Sequence, residues 1–115
     1  MAKLLTLCRQ GEIDRLFKSG TRQRGKHMFV VVAQCPGTEG RVLFPVGRKV
    51  GKAVVRNRVR RRLREAYRAL RPRLHDGLDV AVVVYPSAAA MGYWDLAAEL
   101  ARLLTMAGAL APAMP

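Results

Sequence analysis

The chain of 115 residues is poor in the groups that usually do chemistry. Cysteine occurs only at Cys8 and Cys35, too few for a disulfide framework and without Cys-x-x-Cys spacing. A reducing, cytoplasmic setting is therefore expected. Serine occurs only at Ser19 and Ser87, and neither sits in a Gly-x-Ser-x-Gly elbow. The two histidines, His27 and His75, stand far apart in different kinds of segment, whereas metal sites need clusters. Asp76 and Asp79 flank a turn and read as caps or solvated corners, so no protein-borne metal is expected. Gly47 and Gly51 miss both the P-loop and the dinucleotide-binding patterns. No apolar run approaches the roughly 18 residues of a membrane span, and the stretch from Met1 to Arg9 is too short in apolar residues for a secretion signal.

Acid is scarce as well. Eight Asp and Glu face 21 Lys and Arg, a net charge of +13. With 50% apolar residues the chain can still bury a core, so a single domain over residues 1–115 is expected, with 108–115 as a frayed tail. The charge is concentrated between Arg48 and Arg73, where twelve basic residues meet only Glu65. A solvated helix face normally interleaves both signs, so a one-sign block points to a polyanion.

Gln10 to Gly20 reads as a short helix, with Ile13, Leu16 and Phe17 on one side and Gly20 as a left-handed stop. Thr21 to Lys26 reads as a loop or a short edge strand. Met28–Gln34 and Arg41–Val46 have strand composition, and the turn-rich 36–40 between them predicts a hairpin. Pro45 inside the second strand marks an edge or a bulge. Asn57 is a plausible N-cap for the next helix, which Pro72 ends at about Arg71. Val59, Leu63, Ala66, Tyr67 and Leu70 form its apolar stripe, and Arg61, Arg64 and Arg68 fall opposite. Leu78 to Tyr85 is apolar enough for a central strand covered on both faces. Tyr93 to Ala107 reads as a last helix buried through Trp94, Ala97, Leu100, Ala101 and Leu104. The whole is an α+β two-layer sandwich of helices on one mainly antiparallel sheet.

Arginine forks hold phosphate oxygens through two parallel hydrogen bonds, and their helical spacing can track a phosphate backbone. A helix N-terminus at Asn57 would add backbone N–H groups that attract phosphate. Phe17, Phe29, Phe44 and Tyr85 offer rings beside this charge, for packing or for stacking on unpaired bases.

The run from Arg48 through Lys49, Lys52 and Arg56-Asn57-Arg58 to Glu65 resembles the signature of the protein subunit of bacterial ribonuclease P, whose Arg-Asn-Arg motif it contains. The helix from Glu12 to Gly20, the strand at Asp79–Val83 and the terminal helix follow in that family's order. The resemblance implies a central four-stranded sheet with three helices and a left-handed βαβ crossover, against the usual right-handed rule. It implies a non-catalytic subunit of an RNA-based endoribonuclease. The RNA subunit, with Mg²⁺ held by RNA and substrate, removes the 5′ leader of precursor tRNA and leaves a 5′-phosphate on the mature tRNA. It also implies two partners, the catalytic RNA and precursor tRNA, with no membrane and no obligatory protein partner. Arg48, Lys49, Lys52, Arg56, Asn57, Arg58, Arg60, Arg61, Arg64 and Arg68 carry over as RNA-binding residues. Ile13, Phe17, Val31 and Pro45 carry over as the leader cleft. Ile13 and Val31 stand where relatives place aromatics, and Pro45 stands in place of a small polar residue. A basic ribosomal or ribosome-assembly protein would share the charge and fold size. A membrane-surface helix would need the apolar face that here covers the sheet, and a DNA reader would need a partner helix at short spacing.

Overall fold

The structure is a computed structural model that describes residues 10–35, 40–75 and 77–110. Expectations for Cys8, Asp76, the turn at 36–39 and the tail at 111–115 lie outside these residues. In chain order the elements are α1 (Gln10–Ser19), β1 (Thr21–Arg24), β2 (Met28–Gln34), β3 (Arg41–Leu43), α2 (Ala53–Leu70), β4 (Leu78–Val84) and α3 (Tyr93–Met106). Short 3₁₀ turns lie at Arg48–Val50, Arg71–Arg73 and Pro86–Ala90. None of the described helices is long and apolar enough to cross a membrane.

The strands run in the order β1-β2-β4-β3. β2 is antiparallel to both β1 and β4, whereas β3 is parallel to β4. The expected hairpin between β2 and β3 therefore does not form. β4 is the reason: all its residues except Val83 are buried, so it needs cover on both faces and takes a place between the other two. The chain then reaches β4 from β3 through α2, a βαβ connection between parallel neighbours. The fold is α+β with a mixed, mainly antiparallel sheet, as the sequence indicates.

Strand alternation sends Val30, Val32, Val42, Val80 and Val82 into one core with α2 and α3. Val31 and Ala81 point the other way, beneath Leu16 of α1. The helical layer on one face is thus joined by a short helix on the other. α2 buries Val59, Leu63, Ala66 and Tyr67 as its spacing predicts, and it ends at Leu70, two residues before Pro72. α3 departs from its expected stripe: Leu96, Leu100, Leu103 and Leu104 are buried, while Trp94 is exposed. The helix turns its leucines inward because they carry more apolar area than Ala97 and Ala101, and Trp94, 200° from Leu96, falls outside.

Three other expectations change. α2 starts at Ala53 with Lys52 as N-cap, and its first turn is secured by Arg56 N–H donating to the Lys52 carbonyl at 2.9 Å. Asn57 therefore lies inside the helix; Val55, packed on the core, carries helical structure back past it. Gly20 is not left-handed. It is required by proximity, because a Cβ there would sit 2.5 Å from Val31 Cγ1 and 2.6 Å from the Leu16 carbonyl oxygen. Ala109 and Leu110 are buried rather than frayed; the Ala109 carbonyl accepts from His75 N–H at 3.0 Å, and Leu110 bridges Leu74.

The β1–β2 turn is anchored from α3, where the Glu99 carboxylate accepts the backbone N–H of Lys26 at 3.1 Å and of His27 at 2.9 Å. The His27 ring meets Ser87 Oγ at 2.8 Å, an ordinary polar contact at the end of the sheet.

Candidate nucleic-acid interface

The helix that buries Val59 and Leu63 must present its other side to solvent, and that side is arginine. Asn57, Arg61 and Arg64 are exposed there, with Arg48, Lys49 and Lys52 exposed on the segment leading in. Among the described residues no carboxylate pairs with Arg48, Lys49, Lys52, Arg61 or Arg64, and both recorded ion pairs belong to Arg41. Gly51 shapes the lead-in: its φ of +153° is open to glycine, and a Cβ would lie 3.0 Å from Val55.

The remaining residues expected to bind RNA are half-buried: Arg56, Arg58, Arg60 and Arg68. Several of the flanking guanidiniums also serve the fold. Arg60 Nη1 donates to Asn57 Oδ1 at 3.0 Å and its Nε to the Phe44 carbonyl at 3.4 Å. Arg58 Nη2 donates to the Ala89 carbonyl at 3.5 Å, and Arg62 Nη1 to the Met91 carbonyl at 2.7 Å. The structure thus divides the arginines into an outer row with free donors and flanks that brace neighbouring segments.

On the opposite face of the sheet, α1 packs over a smaller apolar cluster. Ile13 and Phe17 are partly buried there with Phe29, Ala33 and Leu43, around Leu16, Val31 and Ala81. Val31 is 0% exposed. It lies inside the apolar cluster, beneath the surface on which the sequence reading puts it. Pro45 lies two residues beyond β3, so it interrupts no ladder. Since Val42, Phe44 and Val46 enter the large core, alternation puts half-buried Pro45 on the α1 side. Phe44 belongs to that core, edge-on to Tyr67 with ring centroids 5.8 Å apart.

Sequence reasoning missed Arg22. On the edge strand its guanidinium lies 5.7 Å from the Phe17 ring centroid and 5.5 Å from that of Phe29, and it donates to the Phe17 carbonyl at 3.0 Å. The Phe29 and Tyr85 rings lie 6.0 Å apart and tilted by 38°. A cation and three rings therefore run along the open end of this face, a surface suited to bases and phosphates together. The signal that could have found it is the alternation of Arg22 and Arg24 just before the apolar strand.

A pocket lies at the other end of this face, between α1 and the sheet, lined by Glu12, Arg15, Ser19, Cys35, Arg41 and Asp79 and by none of Ile13, Phe17, Val31 or Pro45. Arg41 Nε and Nη2 donate to the two oxygens of Asp79 at 3.1 and 2.8 Å, and Nη1 pairs with Glu12 of α1. Cys35 Sγ accepts a further contact from Arg41 at 3.7 Å. The hydrogen bonds that Arg41 donates to Asp79 and then to Glu12 raise its pKa, holding the guanidinium charged. Asp79, 6% exposed in an otherwise apolar strand, was legible as a buried acid needing a partner. It is no solvated corner. Because Asp79 and Glu12 both accept from Arg41, a divalent ion here would have to displace a guanidinium.

The chain is similar to known proteins in sequence and in fold. The sequence profile of the family described as Ribonuclease P matches residues 1–108. The ribonuclease P protein component of Desulfovibrio desulfuricans is 42% identical over 108 residues, covering 90% of this chain and 83% of the relative. That of Symbiobacterium thermophilum is 46% identical over 80 residues, 70% of each chain. The RNase P protein of Staphylococcus aureus has the same fold, with a TM-score of 0.85 at 21% identity over 95% of this chain and 100% of that one. The Thermotoga maritima RNase P protein gives a TM-score of 0.77 at 25% identity, over 91% and 97%.

Proposed function

We propose a division of labour on one premise: the chain belongs to the ribonuclease P protein family. It is a protein component of ribonuclease P, with that family's RNA-binding and tRNA-processing role. In our reading the exposed row of Asn57, Arg61 and Arg64, with Arg48, Lys49 and Lys52, binds the catalytic RNA. The surface formed by Ile13, Phe17 and Pro45, extended by Arg22 and Phe29, holds the single-stranded 5′ leader of precursor tRNA. The observation that carries this reading is the outer face of α2, basic and unneutralised while its inner face is locked in the core.

The chain then supplies affinity and selection, and the RNA supplies the bond cleavage. Mg²⁺ belongs to the RNA and the substrate. The protein's arginines neutralise phosphates as the two RNAs approach, which lowers the Mg²⁺ needed for their assembly. The leader exists only in the precursor, so contacts at Phe17 and Arg22 favour substrate over mature product.

Single-turnover cleavage of a 5′-labelled precursor tRNA at low Mg²⁺, with the catalytic RNA alone and with protein added, tests the reading. A large rise in rate or precursor affinity is expected. No effect, with tight RNA binding intact, would reassign the chain to a ribosomal or ribosome-assembly role.

A further inference from the structure

Trp94 is the single tryptophan of the chain, and it is 81% exposed at the start of α3. It takes no part in the core, so the fold does not account for its size. Its position is nevertheless defined. The Tyr93 ring meets it edge to face, centroids 5.0 Å apart at 80°, and Tyr93 itself packs on the large core. The chain just before it is tied to α2, for Arg62 holds the Met91 carbonyl at 2.7 Å and Arg58 reaches the Ala89 carbonyl. The segment that leads into Trp94 is therefore fixed against the flank of the arginine helix, with Met91, held by Arg62, three residues before the indole.

This combination selects its ligand. A flat, exposed ring fixed by a second ring, on a segment tied to the arginine helix, is suited to stack on an unpaired nucleobase. Asp95, in the first turn of α3, repels phosphate there and leaves the ring face as the attractive element. The site shares its side of the sheet with α2, away from the apolar cluster under α1. We propose that Trp94, backed by Tyr93, is a base-stacking site for an unpaired nucleotide of the catalytic RNA, an inference that rests on the function proposed above.

Because Trp94 is the sole tryptophan, its intrinsic fluorescence reports this site alone. The test titrates the intact protein with the catalytic RNA transcript and, separately, with a short leader oligonucleotide. Catalytic RNA is expected to quench the emission, and the leader oligonucleotide to leave it unchanged. W94A should bind the catalytic RNA roughly tenfold more weakly, W94F should recover most of the loss, and the salt slope should not move, since stacking releases no counterions. Thermal melting of W94A should match the parent. Parent affinity in W94A together with unquenched emission would overturn the inference and leave the arginine reading standing. Quenching that depends on protein concentration without RNA would overturn it in favour of a second copy covering Trp94. Failure of the parent to bind catalytic RNA at all would remove the functional reading and the inference with it.

Discussion

On one face of the sheet, Val30, Val32, Val80 and Val82 lie under two helices that contribute Val59, Leu63, Leu96, Leu100, Leu103 and Leu104. On the other face, α1 contributes one fully buried leucine, Leu16, over Val31 and Ala81. The first face is a sealed core whose charge lies wholly outside it, on α2. The second is a thin core with an ion cluster at one end and rings at the other. Each fully buried Leu or Val stabilises by about 2 kcal/mol, so most of the folding free energy resides under α2 and α3. The thin face is the one to which our reading assigns recognition of the leader.

The sharpest way to break this contrast is to remove a leucine from each core. Leu100→Ala should lower stability by about 3 kcal/mol in urea unfolding and take both RNA activities with it. Leu16→Ala should cost less in stability yet impair precursor selection, since α1 would lose its seat. Equal costs with equal functional losses would erase the distinction between the faces.

Asp79→Ala probes the ion cluster. The side chains of Arg41 and Asp79 are 20% and 9% exposed, so the loss is discounted for solvent to about 2 kcal/mol. Hydrogen exchange should quicken in α1 and stay slow in α2. Uniform quickening would mean the cluster serves the whole fold rather than the seating of one helix.

Tyr67 sharpens the account of the sealed core through pH. Burial pushes its hydroxyl up to about 12. The folded state favours the neutral phenol, and the unfolded chain ionises at about 10. Stability from this group is therefore intact below about pH 10 and lost as pH rises toward 12, by on the order of 2 kcal/mol. Tyr67→Phe should flatten that alkaline decline in a pH series of chemical melts. An unchanged decline would place Tyr67 in contact with water.

The smallest expected effects separate the arginines. Arg61→Ala should weaken catalytic-RNA binding by about 1 kcal/mol, reduce the salt slope by nearly one unit, and leave melting unchanged. Arg62→Ala should instead lower stability by about 1 kcal/mol, because the Met91 carbonyl loses its donor. Identical behaviour of the two variants would dissolve the division between outer row and bracing flank.

How much of this was legible depended on whether local pattern or long-range pairing decided the matter. The α2 stripe and the central place of β4 follow from periodicity and continuous apolarity, which the neighbours only confirm. The pairing of β3 with β4 is set by what covers β4, and two strands flanking a turn carry no sign that a third will come between them. Asn57 was read from its capping preference alone, which Val55 on the core overrode one turn earlier. Trp94 shares a spacing stripe with Ala97, Leu100, Ala101 and Leu104, but Leu96 and Leu103, which that stripe omits, turn the helix so that Trp94 faces out. At the site, the basic run announced itself by composition. Arg22 became visible only once β1 set it between Phe17 and Phe29, and Val31 lies beneath the surface on which the sequence reading puts it.

The central claim is that the two faces serve two different RNAs. It is tested most directly by measuring Phe17→Ala and Arg61→Ala side by side for affinity toward catalytic RNA and for the precursor-over-mature preference of the assembled enzyme. The account predicts a crossed result: Phe17→Ala loses the preference and keeps the affinity, and Arg61→Ala loses affinity and keeps the preference. Both variants losing both quantities in proportion would contradict it.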